Sequence, residues 1–191
     1  CYELRKDRVT NSWKKTKRKS LVAFLTKVEC EWKTKCIFKW IYYSSWDGTL
    51  IDHFTTIHKS VTYAQRELGL PESDYAKVRA TVGGSVPITL SKLCGEDKVS
   101  LAEPLFRKHF EEIIFDDVFT LPGADWLLEN LKKRGDKLGV FTNKYAGHTR
   151  SVLAHLGLDQ WLDVIIGTGD PKCPYRKPDP LFTAHALEQM D

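Results

Sequence analysis

Three short stretches place polar side chains where chemistry could be done: Ser45-Trp46-Asp47-Gly48-Thr49-Leu50, Val140-Phe141-Thr142-Asn143-Lys144, and Arg176-Lys177-Pro178-Asp179-Pro180. They bring a carboxylate, hydroxyls, an amide and an ammonium. Taken singly, each has an ordinary explanation. Asp-Gly is a turn, Thr-Asn is a helix cap, and lysine before proline is an exposed loop residue. Their joint position is more informative. Asp47 and Thr49 follow one strand pattern, Thr142 and Asn143 follow a second, and Lys177 enters from a loop after a third. Parallel sheets bind ligands at the carboxyl ends of their strands.

The elements that must hold these residues can be read from periodicity. Residues 36–44 are apolar and aromatic with β-branched isoleucines, which predicts a buried strand. From Ile51 to about Phe119 the pattern is helical. Ile57, Val61, Ala64 and Leu68 share one face, Gly69-Leu70-Pro71 ends that helix, and Glu72-Ser73-Asp74 supplies starters for the next. Gly83-Gly84 breaks the chain again, and Leu101, Leu105, Phe106 and Phe110 mark a further amphipathic helix running towards Ile113 and Ile114. After Leu121-Pro122-Gly123 the pattern alternates. A helix carries Ala124, Leu127, Leu128 and Leu131 and is capped by Gly135. A strand at 138–141 follows, then a helix with Val152, Leu153 and Leu156, a strand at 164–166, and a last helix with Leu181, Ala184 and Leu187. Alternating strands and helices with short loops predict a parallel sheet wrapped by helices.

The three stretches, in this order and context, resemble the haloacid dehalogenase superfamily, and most closely its phosphoglycolate-phosphatase-like members. Leu68-Gly69-Leu70-Pro71 and His155-Leu156-Gly157-Leu158 fit the same pattern. The resemblance spans about residues 45–191. It implies an α/β fold: a Rossmann-like parallel core at 36–51 and 120–191, incomplete at its C-terminal end, with an all-helical cap inserted at 52–119. Residues 1–35 stand apart as a basic segment. The implied activity is Mg²⁺-dependent hydrolysis of a small phosphorylated metabolite, such as 2-phosphoglycolate, through an aspartyl-phosphate. By the same resemblance Asp47 matches the general acid/base and lends its backbone carbonyl to the metal, while Gly48 and Thr49 support the turn. Thr142 matches a phosphate-binding hydroxyl, with the Asn143 amide beside it at a helix N-terminus. Lys177 matches the lysine that steadies nucleophile and phosphate.

Two departures stand out. The nucleophile position is Ser45, whose neutral hydroxyl needs a base of its own and brings no charge to Mg²⁺. The acidic fourth motif, expected beyond the helix begun at Leu181, has no counterpart, since Gly169-Asp170 precedes Lys177. The metal's carboxylate ligands are therefore absent, the expected chain is inactive, and Ser45→Asp alone is not expected to restore turnover. The chain opens on Cys1 and ends within a helical pattern, so a fragment of an enzyme with an unnatural N-terminal stretch is the leading explanation. A pseudo-enzyme that binds a phosphorylated ligand or a protein partner is the alternative.

Composition bounds the remaining classes. With 191 residues, 42% hydrophobic and 28% charged, the chain is neither disordered nor a coiled coil. No apolar run reaches membrane-spanning length, and a cytoplasmic location is expected. Residues 1–44 hold 12 lysines and arginines against 4 acids, a net +8, whereas the remainder holds 17 against 21, a net −4. Nucleic-acid binding through this basic segment is considered and not favoured. The five cysteines are scattered and odd in number, which argues against a disulfide framework or metal cluster. The six histidines (His53, His58, His109, His148, His155 and His185) show no ligand spacing. His53 and His58 could face the site from the first cap helix, but solvated surface is the expectation. The tryptophans are expected in the core or at the cap interface.

Overall fold

The computed structural model describes residues 48–171 and 173–190. The expected strand at 36–44, Ser45, Asp47 and the basic segment lie outside them. In chain order the elements are β1 (Ile51–Asp52), α1 (Phe54–Glu67), α2 (Tyr75–Thr81), α3 (Val86–Cys94), α4 (Val99–Glu112), β2 (Phe119–Thr120), α5 (Ala124–Arg134), β3 (Gly139–Tyr145), α6 (Ala146–His155), β4 (Val164–Thr168) and α7 (Pro180–Glu188). β3 and β4 are parallel, with Gly139 opposite Val164 and Phe141 opposite Ile166, and helices wrap them. Among the described residues no helix is long and apolar enough to cross a membrane.

The helical stretch is shorter than its pattern suggested. Ile51–Asp52 and Phe119–Thr120 are extended and pair antiparallel, Ile51 opposite Thr120 and Asp52 opposite Phe119. The Leu121 N–H donates to Leu50 O at 2.8 Å and lengthens this neck by one rung. Two-residue strands are too short to register as alternation, and what makes them strands is a partner almost seventy residues away. Between them α1 and α4 pack face to face. Ile57, Val61 and Ala64 of α1 are buried, as are Ala102, Phe106 and Phe110 of α4. Leu101, expected on that face, is 58% exposed.

Local signals explain most element ends. The Asp52 carboxylate accepts the Phe54 N–H at 3.0 Å, and Asp74 accepts the Lys77 N–H at 2.7 Å, each satisfying an amide that a helix start leaves unpaired. Gly135 closes α5 in the left-handed region at φ 84°, with Asp136 N–H bonded back to Leu131 O. Inside the helical unit the buried Gln65 amide is fully used. Its nitrogen donates to Ser73 Oγ and Leu93 O, and its oxygen accepts from Ser73 N–H, tying α1 to the next loop and to α3.

Two other expectations change. In α7 the buried face is Phe182 and Ala186, with Met190 buried just beyond the helix, whereas Leu181 is 52% exposed and Ala184 is exposed. Three of four leading positions of that helix are apolar or small, so periodicity alone could not choose the face. Trp126 is 67% exposed on the outer side of α5, not in the core or at the cap interface. Cys94 and Cys173 are buried free thiols, and burial pushes the Cys94 thiol up from its usual value.

Candidate functional site

A cleft of about 930 Å³ opens between the α3 and α4 side of the helical unit and the carboxyl ends of β3 and β4. Its floor contains Thr142, Asn143, Lys144 and Lys177, and its helical wall includes Phe106 and Phe110. Three of the residues singled out in the sequence thus meet in one place, although Lys177 lies 34 residues beyond Asn143.

β3 is the organising element. It runs four residues further than expected, through Tyr145, with a break in its pairing to β4 between Phe141 and Tyr145. Such irregularities re-aim side chains at the end of a strand. Asn143 therefore stands within the strand, not at a helix N-terminus, since α6 begins only at Ala146. Its side chain is committed to the neighbouring loop. Asn143 Nδ2 donates to Lys177 O at 3.0 Å and Lys177 N–H donates to Asn143 Oδ1 at 2.8 Å. Thr168 Oγ1 donates to Asn143 O at 3.0 Å from β4. This reciprocal clamp fixes where the Lys177 side chain begins. Lys177 Nζ then donates to Phe141 O at 2.9 Å, and burial lowers the ammonium's pKa below the usual lysine value.

Thr142 is buried, and its Oγ1 accepts the Lys144 N–H at 3.1 Å. That bond occupies an acceptor position and leaves the hydroxyl proton to be donated. Gly48 adopts a positive φ of 78° in a turn with Thr49, its N–H bonded to Ile51 O at 2.8 Å. A glycine meets this conformation without the Cβ clash that other residues suffer.

The haloacid dehalogenase-like hydrolase profile matches residues 46–191. The chain belongs to the haloacid dehalogenase-like hydrolases. A phosphoglycolate phosphatase of Cereibacter sphaeroides is 32% identical over 153 residues, 75% of this chain and 69% of that one. The phosphoglycolate phosphatase of Aquifex aeolicus is 33% identical over 144 residues, covering 74% and 66%. Among solved structures, a haloacid dehalogenase-like family protein from Streptococcus pneumoniae superposes with a TM-score of 0.69 at 25% identity, over 80% of this chain and 71% of that one. Within the superfamily this chain is phosphoglycolate phosphatase-like.

Several residues of this haloacid dehalogenase-like site carried no usable sequence signal. His53 is fully buried, against the expectation of solvated surface. His58 is half-buried with Nε2 3.0 Å from Ser73 O. His53 Nε2 lies 2.9 Å from Ile114 O, its Nδ1 lies 3.2 Å from Lys144 Nζ, and its ring packs against Phe110 at 5.1 Å. Burial, the Lys144 cation and His148 hold its pKa down at about 3, with the Ile114 carbonyl opposing them. Lys144 Nζ also sits 5.4 Å from the centroid of Phe110. Gly167 of β4 passes so close beneath that a Cβ there would lie 2.5 Å from Lys144 O.

The family's Mg²⁺ can be tested against these donors. Among the described residues no three histidine, cysteine, aspartate or glutamate side chains come together as a metal site. Asp170, which lines the cleft, is engaged by Arg150. Mg²⁺ requires hard oxygen ligands and usually one or two carboxylates. The described residues do not fit the ion.

Proposed function

We propose that this chain binds the phosphate of a small phosphorylated metabolite at the carboxyl end of β3, with 2-phosphoglycolate the leading candidate, and that it does not turn that ligand over. The observation that carries this reading is the clamp between Asn143 and the Lys177 backbone, which roots a desolvated ammonium in the cleft that Thr142 also lines. An oriented donor and a cation in a partly dry cleft suit a phosphate group. Asn143 serves by holding Lys177 and not by offering its own amide. The helices between β1 and β2 act as a cap that covers the ligand and selects it.

Loss of turnover rests on Ser45. In the resemblance Asp47 would move protons and the residue two before it would attack phosphorus, but a serine hydroxyl is protonated at neutral pH and gives Mg²⁺ no charge. The same replacement removes a negative group from beside the phosphate, which favours retention of the ligand. Mg²⁺ is an expectation of the family, and no step is assigned to it. The alternative within this reading is a binding module whose phosphorylated ligand belongs to a protein partner.

The test is direct. With Mg²⁺ and either 2-phosphoglycolate or an aryl phosphate, release of inorganic phosphate stays at the blank rate. Inorganic phosphate nevertheless binds by calorimetry, and Lys177→Met or Thr142→Val weakens that binding roughly tenfold or more. Turnover that vanishes in Asp47→Asn would overturn the claim of inactivity. Phosphate binding indifferent to both substitutions would overturn the site.

A further inference from the structure

Two glycines stand on either side of one aromatic ring at the end of β3. A Cβ at Gly147, in the first turn of α6, would lie 2.8 Å from Tyr145 Cε1, and a Cβ at Gly169, just after β4, would lie 2.7 Å from Tyr145 Cε2. The two long edges of the ring are therefore seated in a slot, and a methyl at either place would push the ring out. Gly169 has a φ of 74°, which favours glycine on its own account. Gly147 lies inside α6, where alanine is the better helix former, so room for the ring is what glycine supplies there. His148 stands edge-on to Tyr145 at 5.1 Å and 74°, Phe110 lies 5.8 Å from His148, and Phe106 lies 5.6 Å from Phe110. A row of four rings thus crosses the wall of the cleft from cap to core, and all four line it. Phe106 and Phe110 are buried, whereas Tyr145 is 48% exposed. Residues three apart on an unbroken strand point to opposite faces. The break in pairing between Phe141 and Tyr145 lets Thr142 and Tyr145 line the same cleft, at most about 10 Å apart along the strand.

We propose that Tyr145 is a stacking platform that selects a second class of ligand for this cleft, a phosphomonoester whose tail ends in a planar aromatic ring. This rests on the phosphate reading above, which fixes one end of the ligand at Thr142 and Lys177. The two-carbon tail of 2-phosphoglycolate has no ring to stack, and a cleft of about 930 Å³ has room for more than that acid. A ring on a spacer of a few bonds spans the distance from Thr142 and meets the open side of Tyr145. Aromatic pairs gain more than the area they bury when they lie offset or edge to face. A ring already held at both edges loses little freedom when a second one stacks on it. A flexible aliphatic tail meets neither condition. Tyr145 thereby sets specificity, and Gly147 and Gly169 position it.

Calorimetry on the full chain with 3-phenylpropyl phosphate and propyl phosphate, which differ by the ring, tests the inference. The expected ratio of dissociation constants is about tenfold in favour of the phenyl ester, the scale of one stacked ring. Tyr145→Phe keeps the ratio. Tyr145→Ala brings it down to about twofold or less, the loss falling on 3-phenylpropyl phosphate. Gly147→Ala keeps the tyrosine but drives its ring from the slot, and lowers the ratio about threefold. The ring-proton signals of Tyr145 shift with 3-phenylpropyl phosphate and not with propyl phosphate. A ratio near one in the unsubstituted chain overturns this inference alone, and so does a ratio that survives Tyr145→Ala. An equal loss of both esters in Tyr145→Ala also overturns it, because a tyrosine that merely supports the strand would weaken the whole site. Binding of neither ester overturns it together with the phosphate reading. If both esters bind regardless of Lys177→Met and Thr142→Val while the ratio still depends on Tyr145, the phosphate reading fails and the platform stands.

Discussion

The two walls of the cleft are built by different physics. On the core side, position is set by backbone. Asn143 grips the amide and carbonyl of Lys177, Lys177 Nζ rests on Phe141 O, and Thr168 Oγ1 holds Asn143 O. On the cap side a single bond to backbone, His53 Nε2 to Ile114 O, is joined by side chains packed over long sequence distances: Phe110 against His53, and Lys144 reaching across to both. Backbone hydrogen bonds are directional and cannot slide, whereas ring packing tolerates small displacements. The core wall is a fixed template and the cap wall an adjustable one.

The largest expected effect falls on the template. Asn143→Ala removes both arms of the clamp and leaves the Lys177 amide and carbonyl short of partners, a cost of about 3 kcal/mol for partly buried groups. Phosphate affinity should fall on the order of a hundredfold, while the cap stays folded by circular dichroism. A loss smaller than threefold would show that the Lys177 loop holds itself, and the contrast between the two walls would fail.

Next comes the point where the two walls share a strand. A methyl at Gly167 would stand 2.5 Å from Lys144 O, 2.8 Å from Ala146 Cα and 2.9 Å from Ala146 N, all backbone atoms with no rotamer to yield. Gly167→Ala should therefore cost about 2–3 kcal/mol in urea unfolding. It should weaken phosphate binding less than Asn143→Ala does, because the clash falls on Lys144 and Ala146 and not on the Lys177 loop. An equal loss in the two variants would mean that the end of β3 moves as one body.

How far the sequence could be read follows the same division. That Thr142 and Lys177 come to one cleft was legible because both follow strand ends of a parallel sheet, and α1, α5 and α6 were legible because their apolar faces repeat at helical spacing. The structure moves Asn143 from a helix N-terminus into the strand, and nothing in Thr-Asn-Lys says that the strand continues to Tyr145 before α6 begins. The neck of β1 and β2 was invisible because each strand has two residues and the pairing is non-local. One histidine between Asp52 and Phe54 carries no pattern that predicts its burial. Its burial is created by Ile114 and Phe110, about sixty residues away, and only the packed cap makes its tautomer definite.

The smallest effect tests that cap wall through protons. An unfolded His53 takes up a proton as pH falls through 6.5, while the folded imidazole, at about 3, does not. Between these values the unfolded chain binds more protons, so stability rises with pH there. The contribution is fully present above 6.5 and is lost progressively as pH falls towards 3. At pH 5 the loss amounts to about 2 kcal/mol relative to pH 7. Urea unfolding at pH 7 and pH 5 should show this difference, and His53→Gln, which can still donate to Ile114 O but does not titrate, should flatten it by that amount. Equal slopes in the two proteins would mean that His53 takes its proton in the folded state as readily as in the unfolded one. A charged His53 cannot accept from Lys144, so that single result would detach Lys144 from the cap and leave both lysines to the core.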